Sequence, residues 1–313
     1  MRAFIFPGQG SQFVGMGKDL AEAFPAAREI FQEVDDALGQ NLSKIMFEGA
    51  ESDLNLTENT QPALMAVSMA VVRILQQARP DLLTPAKTKF VAGHSLGEYS
   101  ALTAAGSFRM SDTARLLKIR GQAMQKAVPV GVGAMAAILG LEISDVTAIA
   151  KEASSGEVVA AANDNSFGQI VVSGHKTAVE KAIALATAKG AKRAILLSVS
   201  APFHCSLMKP AADAMRDALA AVDIKPPSVP LVANVIASAV TDPGQIRQLL
   251  VEQVTGMVRW RESVLYMKSQ GVTSLIELGA GKVLNGLTRR IDAELTGRAV
   301  GTPKDIEEFA ATL

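Results

Sequence analysis

Phe90-Val91-Ala92-Gly93-His94-Ser95-Leu96-Gly97-Glu98 is the stretch that decides the fold of this chain. An apolar run ends on a glycine, a serine stands between two glycines, and a helix-forming segment opens at Glu98. Strand, tight turn and helix in that order force a serine into a strained, exposed position above a sheet edge. Glycines at 93 and 97 remove the Cβ atoms that would clash where strand and helix meet so sharply. The helix N-terminus sets the Leu96 N–H, with its positive dipole end, beside any carbonyl the serine attacks. The G-x-S-x-G pattern alone is short enough to arise by chance, so its weight comes from this setting. The competing reading is a glycine-lined junction with an idle serine.

Upstream, Ala3–Phe6 reads as a short buried strand, stopped by Pro7 and a Gly-Gln-Gly-Ser-Gln turn at 8–12. Helices are expected at 19–38 and 61–78, the second capped by Thr60 with Pro62 in its first turn. A strand at 89–92 precedes the elbow, and helical sequence follows over 95–105 and 111–127. This alternation predicts an α/β domain with a mainly parallel sheet. After Gly131 and Gly133 the rhythm changes to strand 134–139, helix 144–153, strands 157–162 and 169–173, helix 177–188 and strand 194–199. That βαββαβ order is the split pattern of a ferredoxin-like unit. Residues 130–199 are therefore expected as an inserted subdomain, with 1–129 and 200–313 forming one discontinuous catalytic domain; the alternative is a single continuous sheet. Helix 207–222, a strand near 230–235, helices near 244–254 and 261–270 and strand 274–278 follow. No fixed-period repeat or low-complexity linker interrupts the pattern.

Composition narrows the function classes. Across 313 residues, 31 Lys+Arg balance 31 Asp+Glu, which offers no signal for nucleic acid or an anionic membrane. A 49% hydrophobic fraction supplies a large core. No uninterrupted apolar run suits a membrane span, and the start Met1-Arg2-Ala3-Phe4-Ile5-Phe6-Pro7 is too short an apolar run for a signal peptide, so a cytoplasmic protein is expected. One cysteine, Cys205, excludes an internal disulfide and a multi-thiolate zinc site.

A serine hydroxyl needs a base, and only three histidines exist: His94, His175 and His204. His94 adjoins Ser95 on the same turn, where neighbouring side chains diverge. His175 opens a helix inside the insertion, which suits a capping or surface role. His204 follows an apolar strand and a Pro202 turn just ahead of a helix, where sheet enzymes place catalytic groups. No Asp or Glu stands out to orient it, and a main-chain carbonyl can do the same work. Cys205, next to His204, points away from it and reads as a buried structural thiol.

These segments resemble the malonyl-CoA:acyl carrier protein transacylases of type II fatty acid synthesis, relatives of polyketide synthase acyltransferase domains. The likeness rests on Phe6-Pro7-Gly8-Gln9-Gly10-Ser11-Gln12, Gln61-Pro62-Ala63, Gly93 to Glu98, Arg120-Gly121 with Met124-Gln125, Gly133-Ala134-Met135, Asn163 with Asn165-Ser166, Phe203-His204 and Gly281-Lys282-Val283-Leu284. The resemblance implies a hydrolase-like α/β domain interrupted by a ferredoxin-like subdomain. It implies Ser95 as nucleophile, His204 as base, and Gln12 and Leu96 as backbone donors of an oxyanion hole. Arg120 would hold the malonyl carboxylate, the Gln253 carbonyl would orient the histidine, and Asn163, Met124 and Phe203 would line the substrate pocket. Phe203 would leave little room for a methyl branch, favouring malonyl over methylmalonyl. Malonyl-CoA and holo acyl carrier protein are the implied partners, with no cofactor or metal and a monomeric enzyme.

Phe167 and Ala280 stand where relatives carry proline, which leaves local loop shape open. Gly279-Ala280-Gly281-Lys282 lacks the spacing and final Ser/Thr of a phosphate loop and reads as a tightly packed turn. Lys192, Arg193 and Lys282 are candidate contacts for an acidic carrier protein. A thioesterase or lipase-like hydrolase, a trans-acting polyketide acyltransferase and a silent carrier-binding scaffold are the rival readings.

Overall fold

The computed structural model describes all 313 residues. Its strands are β1 (Arg2–Phe6), β2 (Thr88–Gly93), β3 (Gly133–Leu139), β4 (Val159–Ser166), β5 (Gln169–His175), β6 (Arg193–Leu196), β7 (Leu231–Ala233), β8 (Ser238–Val240), β9 (Ser274–Leu278) and β10 (Thr296–Val300). Six form one sheet in the order β10-β9-β1-β2-β7-β8, parallel throughout except for the β7–β8 hairpin. β1 is central because both its faces are apolar: Phe4 and Phe6 enter a core of 64 buried residues, while Ala3 and Ile5 enter a second core of 15 on the opposite face. β2 repeats the division, with Val91 on the first side and Phe90 and Ala92 on the second.

The remaining four strands make an antiparallel sheet in the order β4-β5-β3-β6, covered by helices Ile143–Ala153 and Lys176–Ala188 over a 13-residue core of its own. This is the strand order that a βαββαβ chain adopts in the ferredoxin-like fold. β4 is joined to the larger unit: the Val258 N–H donates to the Ala162 carbonyl at 2.8 Å, and the Asp164 N–H donates to the Val258 carbonyl at 3.0 Å. Arg261 grips the buried Asp164 carboxylate through Nε and Nη2 at 2.8–3.0 Å.

Several expectations need correction. The helix expected at 19–38 is two, Lys18–Ala23 and Pro25–Leu38, because Phe24 is extended and Pro25 begins a new first turn. The helix expected from 61 begins at Thr57, so Thr60 does not cap it and Pro62 lies inside it. Thr60 Oγ1 instead donates to the Leu54 and Leu56 carbonyls. The strand expected over 194–199 spans only Arg193–Leu196. Beyond 278 the chain continues as helix Val283–Ile291, β10 and helix Pro303–Ala310, elements with no counterpart in the sequence reading. No helix is long and apolar enough to cross a membrane.

Candidate active site

The C-terminal ends of β1 and β2 lie side by side, Phe6 opposite Gly93. The chain leaving β1 makes the Pro7–Gly10 turn and the chain leaving β2 makes the elbow; such strand ends are where α/β sheets hold their ligands. A Cβ on Gly93 would stand 1.9 Å from the Gly97 carbonyl group, and one on Gly97 would stand 2.3 Å from the Phe6 oxygen. Only glycine allows that approach. It leaves Ser95 at φ 54°, a left-handed conformation that costs a non-glycine residue energy and lifts its side chain off the sheet.

His204, also left-handed at φ 58°, reaches the serine from 109 residues downstream. Its Nε2 lies 2.7 Å from Ser95 Oγ, and its Nδ1 lies 2.8 Å from the Gln253 carbonyl. A carbonyl accepts only, so Nδ1 carries the proton, and the bare Nε2 accepts from the serine hydroxyl. Burial, reinforced by the Arg120 charge, pushes the His204 pKa down to about 3. The imidazole is therefore neutral at ordinary pH and free to take a proton.

Arg120 is 1% exposed. Its guanidinium donates to Gln61 Oε1 at 2.7 Å, to Gln253 Oε1 at 2.9 Å and to Ser95 Oγ at 3.2 Å, while Nε has no partner. No carboxylate pairs with it: every ion pair of the protein lies elsewhere. Arg120, Gln61, Ser95 and His204 border a cavity of about 190 Å³ that Leu96, Met124, Asn163 and Phe203 also line. The Leu96 N–H has no partner within the protein.

Gln12 is not among the lining residues. The chain reverses at Gly10, and the Gln12 side chain accepts from the Gly10 N–H and donates to Asn55 Oδ1 at 2.8 Å, on the outer face of the turn. Gln9 lines the cavity in its place, with an unpartnered N–H and its side chain held by the Thr57 hydroxyl at 2.8 Å. Its position three residues past the end of β1 was the available signal. Gln61, Glu98 and Asn234 also contact the site; the first two stand in quoted motifs, and Asn234 directly follows the apolar β7.

The other histidines are occupied. His94 Nε2 donates to Asn165 Oδ1 at 2.8 Å, and His175 Nδ1 accepts from the Val158 N–H at 2.9 Å. The Cys205 thiol is buried, donates to the Pro202 carbonyl at 3.2 Å, and has its pKa raised by desolvation, which keeps it protonated. Phe167 is half-exposed under the Arg261 guanidinium. Gly279 and Gly281 pack against Ser68, Pro7 and Ser11. Lys192, Arg193 and Lys282 are exposed. No group of three or more His, Cys, Asp or Glu side chains comes together.

A hydroxyl, a neutral imidazole with a fixed tautomer, free backbone donors and an unpaired guanidinium in one cavity are the groups that serine-type acyl transfer requires. The acyl transferase domain family matches residues 3–290, and the chain belongs to that family, among its malonyl CoA-acyl carrier protein transacylases. It is 49% identical to the malonyl CoA-acyl carrier protein transacylase of Escherichia coli strain K12 over 96% of each chain. It is 47% identical to that of Bacillus subtilis strain 168, over 99% of this chain and 96% of that one. Among solved structures, the acyl-carrier-protein-S-malonyltransferase of Bartonella henselae is 56% identical with a TM-score of 0.97, covering 99% of this chain and 98% of that one. A malonyl-transacylase in complex with a type II PKS acyl-carrier protein is 43% identical with a TM-score of 0.96, over 100% and 99%.

Proposed function

We propose that this enzyme transfers the malonyl group from malonyl-CoA to the phosphopantetheine thiol of holo acyl carrier protein, through a malonyl ester on Ser95, to supply fatty acid synthesis. The observation that carries the reading is the buried Arg120 guanidinium, unpaired by any carboxylate and 3.2 Å from the serine hydroxyl. The Glu98 charge reaches the guanidinium only from beyond ion-pair distance, so the buried cation still lacks a bonded anion, and a substrate with a free carboxylate beside its thioester supplies one. The planar fork can accept that carboxylate through two parallel hydrogen bonds.

In the first half-reaction, Ser95 Oγ attacks the thioester carbonyl as its proton passes to His204 Nε2. The Leu96 and Gln9 N–H groups receive the oxyanion. The C–S bond breaks, and the coenzyme A sulfur leaves with the proton from the imidazolium. In the second, the carrier thiol gives its proton to His204, its sulfur attacks the ester carbonyl, and Ser95 Oγ leaves and is reprotonated. General-base help contributes about 10²–10⁴ in rate, and each oxyanion donor about 2.7–4 kcal/mol. Asn163, Met124 and Phe203 shape the acyl pocket. The inserted unit, residues 130–199, forms one wall of it, and Lys192, Arg193 and Lys282 meet the carrier. The enzyme works as a cytoplasmic monomer, with no cofactor beyond the pantetheine that substrate and partner bring.

Intact-mass measurement after brief exposure to malonyl-, methylmalonyl- and acetyl-CoA tests the reading. The expected result is a malonyl adduct that Ser95→Ala abolishes and that holo carrier protein removes as a carrier thioester. Release of free malonate in the presence of carrier would make the enzyme a hydrolase instead.

A further inference from the structure

Behind the nucleophile stand two polar residues that the proposed chemistry leaves unused. Asn234, fully buried, straddles the elbow: its Oδ1 accepts from the Ser95 N–H at 2.8 Å, and its Nδ2 donates to the Gly93 carbonyl at 2.7 Å. Glu98, 1% exposed, accepts on a single oxygen from the Asn234 N–H at 2.9 Å and from Gln253 Nε2 at 3.0 Å. Gln253 in turn touches three groups of the site. Its Nε2 donates to the Ser95 carbonyl at 2.9 Å, its Oε1 accepts from Arg120 at 2.9 Å, and its main-chain carbonyl accepts from His204 Nδ1 at 2.8 Å.

From this chain of contacts we infer that Glu98 and Asn234 are positioning residues, which lock the serine elbow and the His204–Gln253 pair to one another. Ser95 holds a left-handed backbone that its surroundings must impose. The Asn234 amide imposes it by bonding the turn on both sides of His94. That bond also occupies the Ser95 N–H, leaving the neighbouring Leu96 N–H as the elbow's free donor. Glu98 then ties Asn234 to Gln253, reinforcing a longer direct bond from Gln253 Nε2 to Asn234 Oδ1 at 3.2 Å. Both bonds fall on one oxygen of the carboxyl group, which leaves the other free to hold the proton that burial favours by raising the Glu98 pKa to about 7 against the pull of those bonds and of Arg120. The base and the nucleophile come from segments 109 residues apart, and Glu98 gives them a shared anchor.

The inference rests on Ser95 being the nucleophile, so its test uses a reagent indifferent to the acyl group. Phosphorylation of Ser95 by diisopropyl fluorophosphate is timed by mass in wild type, Glu98→Ala, Glu98→Gln and Asn234→Ala, beside thermal unfolding and malonyl-CoA kinetics. Both alanine variants are expected to label about 10- to 100-fold more slowly, the scale of lost alignment. Their kcat should fall while KM for malonyl-CoA stays near wild type. Glu98→Gln should recover most of the rate, because its carbonyl oxygen can accept the same two bonds. An unfolded fraction would lower the labelled amplitude and kcat while sparing KM, so it is the labelling rate constant of the folded enzyme, and its recovery in Glu98→Gln, that separates lost alignment from lost fold. A folded alanine variant labelling at the wild-type rate, or Glu98→Gln as slow as Glu98→Ala, overturns the inference. If Glu98→Ala does not fold, Asn234→Ala decides by the same criterion. Wild type that takes the fluorophosphate but never malonyl sinks only the substrate reading, whereas wild type inert to both sinks the two together.

Discussion

At the scale of single residues Arg120 is the proposed carboxylate clamp, and its charge also acts on His204. Buried beside His204, it helps burial hold the imidazole down near a pKa of about 3, well below the ordinary 6.5. The free enzyme should therefore keep an unprotonated base as pH falls through 6.5, and kcat/KM for malonyl-CoA, which reports the free enzyme, should show no acid limb there. Arg120→Ala removes the largest cause after burial itself, so the limb should move upward in pH. The same variant should lose its malonyl preference, since a charge-assisted hydrogen bond contributes about 1.5–3 kcal/mol. Competition between malonyl- and acetyl-CoA, followed across pH, checks both; unchanged selectivity would rule out a carboxylate clamp. The sequence placed Ser95, His204 and Arg120 as candidates because each residue type has a motif or a scarcity behind it. The resemblance pointed to Gln12 as an oxyanion donor, whereas Gln9 is the one that lines the cavity, since two glutamines share one glycine-rich turn and only the reversal at Gly10 separates their directions.

Among the elements, the helix Val283–Ile291 depends on a buried carboxylate. Glu277 on β9 is fully buried and accepts from the Leu284 and Asn285 N–H groups at 3.2 and 2.7 Å, filling the role of a cap that no residue of the helix's own N-terminus supplies. Burial outweighs those bonds and raises its pKa from 4.5 to about 7. Between those values the folded state binds more protons than the unfolded one. Its contribution is thus complete below about pH 4.5 and is lost as pH rises through 7. Chemical unfolding of wild type and Glu277→Gln should show the wild-type advantage shrinking from pH 5 to 8. Glu277→Ala should cost roughly 1–3 kcal/mol by stranding the two N–H groups. A pH-independent difference would mean that Glu277 titrates normally. Neither this helix nor its cap was legible in the sequence, because the acceptor lies on the preceding strand rather than at the cap position. The elements up to 278 were easier to read because strand and helix periodicities alternate cleanly there.

For the whole molecule, the question is what holds the small sheet against the large one. Asp164, with no exposed surface, is gripped by Arg261 across the junction, beside the β4–Val258 hydrogen bonds. Asp164 is buried and Arg261 only partly so; removing the arginine strands the carboxylate but lets water reach it, so Arg261→Ala should destabilise the protein by about 1–3 kcal/mol in urea unfolding. A loss below about 1 kcal/mol would show that the hydrogen bonds hold the junction unaided. What the sequence determined by itself was the coarse order of strands and helices up to residue 278, though not every boundary. Apolar runs against glycine turns predicted the parallel sheet, a change of rhythm predicted the βαββαβ insertion, and a glycine-flanked serine predicted the elbow. Only the tertiary structure decided which polar groups meet at the strand ends: Gln9 rather than Gln12 in the cavity, and the Glu98–Asn234 brace behind it, whereas the Gln253 carbonyl behind His204 was already expected from the family resemblance. The physical reason is that periodicity and steric turn rules act over a few neighbouring residues. A hydrogen bond between residues 98 and 234, or between 204 and 253, exists only after the cores on both faces of the sheet have brought distant loops to the same strand ends.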